Sequence, residues 1–408
     1  MKIRSLLLAL TVVGGVLHVV DTTSAQNWVA TSAPVTNWTG VACSADGIKL
    51  VAVVAAGFGN DGPHGSIYTS ADSGVTWNAT SAPLNSWTSV ASSTDGTRLI
   101  AGCHGNPIYT SADSGATWVA SDSPGGFLSV ASSNDGTKLF GASSYIYSLT
   151  PTDGWLATDS PFYARWSSVA CSSDGSRLIA ATVTWGTTTI DPDGNAMPGV
   201  LVRGSLWTSA DSGATWQFQN VPLGEWYCVS SSADGSRLAA MGDGLAYMSE
   251  DSGTNWTKAS VPVRSWTALA ASADGTKLVA VASNLKQIFM SSDAGITWTN
   301  SGAPRAEWTS VASSADGSKV VAVAGGGFAV GRIYTWQAAL PALSITLSAN
   351  TALISWPASA TGFELQENSD LNSKNWTDLT SIPTLTNQQN QIVVSTLSGA
   401  RFYRLNHP

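Results

Sequence analysis

Four acidic side chains lie in predicted connecting segments, where a ligand could reach them: Glu225, Glu307, Asp191 and Asp193. A glycoside hydrolase needs two carboxyl groups on opposite sides of the bond that it cleaves. Tyr163 adds an aromatic hydroxyl in the same kind of segment. These five residues are catalytic candidates, but nothing in the sequence selects a pair or assigns a role.

A transition metal would need nitrogen or oxygen ligands, and two adjacent repeats offer three candidates: Asp61, His64 and His104. Two imidazoles and one carboxylate could hold such an ion, although solvated loop histidines are the simpler interpretation. The segment "DPDGN" at 191–195 has oxygen ligands at alternate positions, as calcium loops do, but it lacks the later glutamate. The sequence predicts no cofactor.

Three arginines and two aromatic residues in connecting segments are candidates for ligand binding: Arg165, Arg264, Arg305, Tyr163 and Trp185. A guanidinium group can bind a carboxylate through two parallel hydrogen bonds. An aromatic ring offers a large apolar surface with a specific contact geometry. Whether these side chains meet depends on the elements that carry them.

Internal repeats supply those elements. The dipeptide Asp-Gly recurs in similar segments such as "SWTSVASSTDGTRLIA" from Ser86 and "SWTALAASADGTKLVA" from Ser265. Successive aspartates of this dipeptide are 49, 40, 39, 60, 40 and 42 residues apart. They are Asp46, Asp95, Asp135, Asp174, Asp234, Asp274 and Asp316. A near-constant period of this kind predicts an array of seven equivalent units.

Each unit contains four short strand signals. Runs such as "WTSVASS" and "KLVAV" flank the Asp-Gly turn, "IYTS" follows, and a tryptophan opens the fourth strand. This pattern predicts an all-β chain with a seven-bladed β-propeller at residues 26–340. The last unit lacks its outer strand, whereas "NWVATSAP" from Asn27 nearly duplicates "TWNATSAP" from Thr76. We expect the N-terminal strand to complete the last blade and close the ring.

The octapeptide "SADSGATW" occurs at Ser111 and again at Ser209, with similar copies from Ser70, Ser249 and Ser291. A set copied five times favours a structural role, because catalysis needs one asymmetric set of groups. We expect its aspartates to accept backbone N–H bonds in a tight turn and its tryptophans to pack between blades. These residues are Asp72, Asp113, Asp211, Asp251, Asp293, Trp77, Trp118, Trp216, Trp256 and Trp298.

The pattern S-x-D-x-G-x-T-W resembles the Asp-box, or BNR, repeat of sialidases, sortilin-type receptors, some glucanases and photosystem II assembly factors. This resemblance implies a propeller whose ligands meet the face opposite the Asp-boxes. Sialidases clamp a sugar carboxylate with three arginines. This chain departs from them, since it has no R-I-P stretch, has seven repeats rather than six blades, and offers no assignable tyrosine–glutamate pair.

Antiparallel strand order predicts that the Asp-Gly turns and the Asp-boxes share one face, which we call the first face. The loops after the second strands and the links between repeats then share the opposite, second face. Both long insertions fall on the second face, at Ala55–Gly65 and Thr184–Gly204. Long loops on a rigid scaffold are where function concentrates, although tolerated decoration is the plainer explanation.

The two ends of the chain differ from the repeats. Residues 1–25 have the layout of a secretory signal, with Lys2 and Arg4 before an apolar run and "TSA" before Gln26. We expect a secreted protein, extracellular or periplasmic, that is monomeric and has no membrane span after cleavage. Residues 341–408 show six strand signals and resemble the fibronectin type III or immunoglobulin-like β-sandwiches that end many secreted bacterial proteins.

Composition narrows the range of partners. The net charge of -8 repels phosphate backbones and argues against nucleic acid. Four cysteines have no metal-binding spacing, and a disulfide is permitted in an exported protein but not indicated. They are Cys43, Cys103, Cys171 and Cys228.

Two functional hypotheses follow. The leading one is an exported, non-catalytic binding or scaffold protein that recognises a protein or a glycan on the second face. This hypothesis is based on the two loop insertions of the second face and on the lack of an assignable set of catalytic residues in the sequence. The alternative is a glycoside hydrolase, sialidase-like or glucanase-like, that uses carboxylates of the same face.

Overall fold

All regular structure in the described part of the chain is β-strand. The computed structural model describes residues 7–10, 28–55, 65–105, 107–121, 126–150, 154–160, 164–183, 188–190, 196–198, 204–261, 265–282, 284–325, 330–337, 343–348, 351–358, 363–370, 375–395 and 401–406. Over these ranges the prediction of an all-β chain is confirmed. None of the described segments forms a helix long and apolar enough to cross a membrane.

The chain divides into two compact units. One comprises Asn27–Gln337, and the other comprises Ala338–Pro408 together with Met1–Gln26. In the larger unit, the described residues form seven antiparallel sheets of four strands each, numbered here as sheets 1 to 7 in chain order.

The strands of sheets 1 to 4 follow the repeats. Sheet 1 contains Trp38–Cys43, Leu50–Val54, Ile67–Ser70 and Asn78–Ala79. Sheet 2 contains Trp87–Ser92, Leu99–Cys103, Ile108–Ser111 and Val119–Ser121. Sheet 3 contains Ser129–Ser132, Leu139–Ala142, Ile146–Thr150 and Gly154–Ala157. Sheet 4 contains Trp166–Cys171, Leu178–Thr182, Leu206–Ser209 and Gln217–Phe218.

Sheets 5 to 7 repeat the same order. Sheet 5 contains Trp226–Ser231, Leu238–Gly242, Ala246–Ser249 and Thr257–Lys258. Sheet 6 contains Trp266–Ala271, Leu278–Ala282, Gln287–Ser291 and Thr299–Asn300. Sheet 7 contains Trp308–Ser313, Lys319–Ala324 and Ile333–Gln337 from the last repeat, and Val29–Ala30 from the N-terminal end. In sheet 7, Val29 pairs with Thr335 and Ala30 pairs with Tyr334.

The hydrophobic core lies between neighbouring sheets. The second strand of sheet 1 is buried along its whole length, and its Val51 and Val53 pack with Trp87 of sheet 2. In the same way Val321 of sheet 7 packs with Trp38 of sheet 1. Burying a valine side chain contributes about 1.5 to 3 kcal/mol, so every sheet depends on both neighbours for its stability.

The Asp-Gly turns are joined to one another by backbone hydrogen bonds of 2.7 to 2.8 Å. In each, the residue before the aspartate donates its N–H to the carbonyl of the equivalent residue in the next turn. The donors and acceptors run in the order Ala45, Thr94, Asn134, Ser173, Ala233, Ala273, Ala315 and again Ala45. The series therefore returns to its starting residue.

A basic side chain from each Asp-Gly turn lies across the glycine of the next turn. The stem of Lys49 lies against Gly96, and a Cβ built on Gly96 would come within 2.8 Å of it. Gly96 also has a φ of +67°, a conformation that favours glycine. The remaining pairs are Arg98 with Gly136, Lys138 with Gly175, Arg177 with Gly235, Arg237 with Gly275, Lys277 with Gly317 and Lys319 with Gly47.

The smaller unit contains two four-stranded sheets. One has the order Leu7–Leu10, Arg401–Asn406, Glu364–Asn368 and Thr377–Asp378. The other has the order Ser344–Ser348, Thr351–Pro357, Gln389–Ser395 and Thr384–Thr386. Its core includes Ile354, Trp356, Leu365, Ile392 and Tyr403.

This unit has strands that the sequence did not predict. Leu7–Leu10 lies in the segment predicted as a signal and pairs with Arg401–Arg404. Thr384–Thr386 is a seventh strand of the tail, where six were expected. It turns into the next strand through Asn387 and Gln388, whose φ angles of 51° and 60° give the tight hairpin turn that Asn tolerates well.

Candidate functional site

The Asp-box is a self-contained turn. The Asp113 carboxylate accepts hydrogen bonds from the Ser111 hydroxyl at 2.8 Å, the Thr117 N–H at 2.8 Å and the Thr117 hydroxyl at 2.6 Å. The Ser111 hydroxyl accepts the N–H of Gly115 at 2.9 Å. The hydroxyl and N–H of Thr117 lower the pKa of Asp113, because they stabilise its charged form.

The same bonds recur in the other copies. The pKa of each carboxylate is lowered, with Thr215 and Thr297 acting on Asp211 and Asp293 as Thr117 does on Asp113. In the copy from Ser249, Asn255 replaces the threonine and binds Asp251 through its N–H and its amide. A carboxylate that already accepts three hydrogen bonds keeps about one of its roughly four acceptor sites for a ligand.

The Asp-box tryptophans are partly buried and complete the turns or the core. Trp118 and Trp298 donate their indole N–H to Gly115 and Gly295 of their own boxes, at 3.1 and 2.9 Å. Trp256 donates to the side chain of Gln219 at 3.0 Å. Trp77 and Trp216 pack against hydrophobic clusters between sheets.

The second face is held by another repeated hydrogen bond. The residue after the second strand donates its N–H to the carbonyl of the residue that precedes the first strand. Val183 donates to Arg165 at 3.2 Å, and Asp243 donates to Glu225 at 3.0 Å. The same bond joins Ala55 to Asn37, His104 to Ser86 and Gly325 to Glu307. These residues consequently occupy equivalent places around the second face.

Each first strand has a register shift after its tryptophan, except in sheet 3, where no such shift is described. The residue at the shift has no partner in the strand pairing, and in several sheets its hydroxyl donates a hydrogen bond to the neighbouring sheet. Thr39 donates to the Trp87 carbonyl at 2.9 Å, and Thr309 donates to the Trp38 carbonyl at 2.9 Å. Ser167 donates to the Trp226 carbonyl at 2.6 Å. A short hydroxyl at this place therefore satisfies an edge carbonyl.

Tyr227 occupies this position in sheet 5 and departs from the pattern. The other sheets have Thr39, Thr88, Leu128, Ser167, Thr267 and Thr309 there. The phenol is too long to repeat the short contact of Ser167, and 37% of Tyr227 is exposed. Five of the other six sheets have a small hydroxyl side chain at this position, so the exposed aromatic ring of Tyr227 is a candidate for a role outside the scaffold.

Three charged residues of the second face act on the Tyr227 hydroxyl. Partial burial raises its pKa, the carboxylates of Glu225 and Asp243 raise it further, and the guanidinium of Arg165 lowers it. The phenol is therefore uncharged at neutral pH and can both donate and accept a hydrogen bond. We call Arg165, Glu225, Tyr227 and Asp243 the Tyr227 cluster.

The longer insertion begins and ends beside this cluster. At its start, Val183 is bonded to the Arg165 carbonyl. At its end, the Gly204 carbonyl accepts the N–H of Gly224 at 2.9 Å, immediately before Glu225. Between them, the backbone of Thr188–Ile190 pairs with that of Ala196–Pro198 as a hairpin. Both ends of the insertion are thus anchored by backbone bonds next to residues of the Tyr227 cluster, on sheets 4 and 5.

Other predicted site residues lie apart from the cluster. Glu307 forms an ion pair with Lys286 on the neighbouring sheet 6, and Arg305 is exposed in the preceding link. His104 is exposed beside sheet 2, and no group of three potential metal ligands occurs among the described residues. Seven predicted site residues fall outside the described ranges: Asp61, His64, Tyr163, Trp185, Asp191, Asp193 and Arg264.

The sequence reasoning named Arg165 and Glu225 but missed Tyr227 and Asp243. A signal for Tyr227 was present, because aligning the seven repeats shows one tyrosine in a column of threonine, serine and leucine. Asp243 had no such signal, since the loops after the second strands differ from repeat to repeat.

The comparisons add no family to this description. No protein-family model matches the chain. No curated protein matches it either. The chemical character of the cluster is therefore the guide to function. It offers one aromatic face, two carboxylate acceptors and one guanidinium donor, a combination suited to recognising a polar ligand.

Proposed function

We propose that this chain is an exported, non-catalytic binding protein that holds a protein or a glycan on its second face. The observation that carries the proposal is Tyr227, an exposed aromatic residue that breaks the pattern of the repeats two residues after Glu225, whose carbonyl accepts the N–H of Asp243. A ligand that covered the ring would bury its apolar face.

The proposal also includes the arrangement of the seven sheets. They would form a seven-bladed β-propeller of the Asp-box type, closed by the N-terminal strand. It is supported by the series of turn hydrogen bonds that returns from Ala315 to Ala45. It is also supported by the pairing of Val29 with Thr335 in sheet 7. The smaller unit would be an immunoglobulin-like or fibronectin type III-like β-sandwich that acts as a spacer or cap.

The location of the protein is part of the same proposal. Removal of residues 1–25 by a signal peptidase would leave a monomer outside the cytoplasm, beginning at Gln26. The layout of charged, apolar and small residues at that end supports this step. An extracellular or periplasmic site would also give the second face access to glycans and to the proteins of an envelope.

Two parallel binding screens test this function. The mature chain from Gln26 and its Tyr227→Ser variant are applied to a glycan array and to a displayed peptide library. Serine is the residue of sheet 4 at this position, so the variant should keep the fold and its Tm. We expect ligands that the native chain retains and the variant loses. Equal retention by both proteins would reject the second-face site.

A glycoside hydrolase is the second candidate, because the backbone bond between Asp243 and Glu225 brings two acidic residues together near the exposed ring of Tyr227. Mass spectrometry of every glycan retained on the array would detect shortened products. Cleavage that disappears in Glu225→Gln would establish the enzyme. Intact glycans after prolonged incubation would leave the binding function in place.

A further inference from the structure

A cavity of about 270 Å³ lies between sheets 1 and 2, among the Asp-Gly turns and Asp-boxes of the first face. Val51, Thr69 and Asn78 of sheet 1 are successive partners in the strand pairing and line one wall. Leu99 of sheet 2 lines the cavity from the other side, and Lys49 adds an ammonium group. Sites for small molecules have volumes of about 300 to 1,000 Å³, so this cavity matches a ligand at the small end of that range.

The equivalent place between sheets 5 and 6 is almost filled. The cavity there is about 10 Å³ and includes Ala239 and Met248, which pair as Val51 and Thr69 do. Met248 packs closely on the next Asp-box, since a Cβ built on Gly295 would lie 2.9 Å from its Cε. A threonine side chain is two atoms shorter than a methionine side chain. The space that Met248 occupies is therefore left open beside Thr69.

The two places also differ in their charged groups. Arg237 and Glu250 line the filled cavity and form an ion pair at 3.7 Å. Lys49 and Ala71 stand at the same positions in sheet 1, so the carboxylate has no counterpart there. The Lys49 ammonium donates to the Ser114 hydroxyl at 3.2 Å and forms no ion pair with any described residue. Two of its three N–H donors are left for another partner.

The aspartates near Lys49 do not take the part of Glu250. The pKa of Asp95 is lowered first by the Ser93 hydroxyl and by Thr97, and Lys49 makes the smallest contribution. Equivalent aspartates accompany Glu250, and a carboxylate is nevertheless accommodated beside them. They are Asp251, Asp274 and Asp293. The surrounding turns therefore do not bar a negative group from this place.

We propose that the cavity between sheets 1 and 2 binds a small organic carboxylate, whose negative group contacts Lys49 and Ser114 and whose apolar body lies against Val51 and Leu99. The ligand supplies the carboxylate that Glu250 supplies between sheets 5 and 6. Charge-assisted hydrogen bonds are roughly twice as strong as neutral ones, and burial of the apolar body adds to them. This site is on the first face and does not depend on the proposed function of the second face.

Sheet 5 supplies matched variants. Thr69→Met introduces the residue that fills the equivalent space, so it should close the cavity and preserve the fold. Ala71→Glu introduces an internal carboxylate that competes for the ammonium group. Lys49→Met keeps an unbranched stem over Gly96 and removes only the charge. Thermal melts of the three variants check that each is folded.

Fluorine NMR titrations of the purified protein test the site with three probes of nearly the same shape. The probes are para-fluorobenzoate, para-fluorobenzamide and para-fluorobenzylamine. We expect the carboxylate to bind with a Kd of about 1 mM or tighter, and about ten-fold or more tightly than the amide and the amine. Thr69→Met should weaken its binding about ten-fold or more. Lys49→Met should reduce the preference for carboxylate over amide to about three-fold or less, and Ala71→Glu should weaken the carboxylate more than the amide.

Three results would overturn the inference: no binding of the carboxylate at about 10 mM, equal binding of carboxylate and amide, or binding that Thr69→Met leaves unchanged. If Thr69→Met does not fold, the loss of selectivity in Lys49→Met decides the question alone. Retention of glycans or peptides through Tyr227 should be the same in all three variants. Failure of the carboxylate site and failure of the proposed function are therefore told apart.

Discussion

The backbone N–H of Ala315 donates a hydrogen bond to the carbonyl of Ala45 at 2.7 Å, joining the last Asp-Gly turn of the chain to the first. Every other bond of the series connects neighbours in sequence order. The side chain of Thr309 makes a second connection of the same kind, since its hydroxyl donates to the Trp38 carbonyl at 2.9 Å. Sheets 7 and 1 are therefore held together as the sequential neighbours are.

Replacing Thr309 tests the strength of this connection. Thr309→Val keeps the shape of the side chain but leaves the Trp38 carbonyl without its hydroxyl donor. We expect the free energy of unfolding to fall by about 1 kcal/mol. Thr309→Ser, which retains the hydroxyl, is the matched control and should lie close to the native protein in a urea titration. A loss of the same size in both variants would show that the methyl group, rather than the bond, matters.

Two glycines of the same sheet separate backbone strain from crowding. Gly235 and Gly244 both have a φ of +70°. A Cβ on Gly244 would meet nothing within 4 Å, whereas one on Gly235 would lie 2.6 Å from Cδ of Arg177. We expect Gly244→Ala to cost about 1 kcal/mol from the left-handed backbone alone. Gly235→Ala should cost about 1 to 3 kcal/mol more, because the Arg177 stem must move.

Chemical denaturation of these two variants gives the comparison. Adding Arg177→Ala to Gly235→Ala removes the crowded Cδ and should recover part of the loss. Equal destabilisation of the two single variants would mean that the stems of the basic residues yield freely and do not hold the turns.

The Asp-Gly turns predict a characteristic response to acid. The hydroxyl of Ser93 and the groups of Thr97 lower the pKa of Asp95 from 3.8 to about 2, and Asp135 and Asp234 are lowered to about 2 by equivalent partners. Unfolded carboxylates take up protons near 3.8 and folded ones resist until about pH 2. Their stabilising effect is therefore complete above about pH 5 and is lost as the pH falls from about 4 to 2.

Thermal melts between pH 7 and pH 2 check this prediction. The Tm should be steady down to about pH 5 and then decline steeply. Asp135→Asn should have a lower Tm at pH 7 and a shallower decline in acid, because it lacks one of the carboxylates whose protonation favours unfolding. If the acid profile of Asp135→Asn has the native slope, the turn carboxylates are not the source of the acid sensitivity.

The cysteines should be inert in the folded protein. None of the four forms a disulfide in the structure, and burial raises the pKa of Cys43, Cys171 and Cys228 to about 12. At pH 8 these three side chains hold almost no reactive thiolate. Iodoacetamide should leave them unmodified in buffer and alkylate them in guanidinium chloride. Ser260→Cys, at an exposed position, provides the reactive control. A native mass short by two hydrogens would instead reveal a disulfide.

Repetition explains how much of the fold the sequence predicts. Seven copies of the strand signals average out local ambiguity, so the four-stranded antiparallel sheets could be predicted from runs such as that beginning at Trp266. The hairpin strand Thr384–Thr386 occurs once, has three exposed residues and depends on a two-residue turn, so no comparable signal marks this strand in the sequence.

The candidate site shows the opposite limit. Arg165 and Glu225 attract attention as charged residues in links, but the exposure of Tyr227 near them depends on which sheets are adjacent and on the register shift between Trp226 and Cys228. Asp243 lies next to Glu225 because its N–H is bonded to the Glu225 carbonyl. Contacts of this kind form between neighbouring repeats. The repeat pattern predicts the strands within each repeat but not which side chains of two repeats come close together.

The pairing of Val29–Ala30 with Ile333–Gln337 also determines when sheet 7 can be completed during synthesis of the chain. The first of these strands emerges early from the ribosome, and its partner follows roughly 300 residues later. At about 5 to 20 residues per second, the early strand waits on the order of 15 to 60 s with its hydrogen-bonding edge bare. During that interval the early strand can pair with the last repeat of a neighbouring nascent chain on the same messenger RNA instead of its own. The strand pairing that completes sheet 7 is thus also the place where two chains under synthesis could pair with each other.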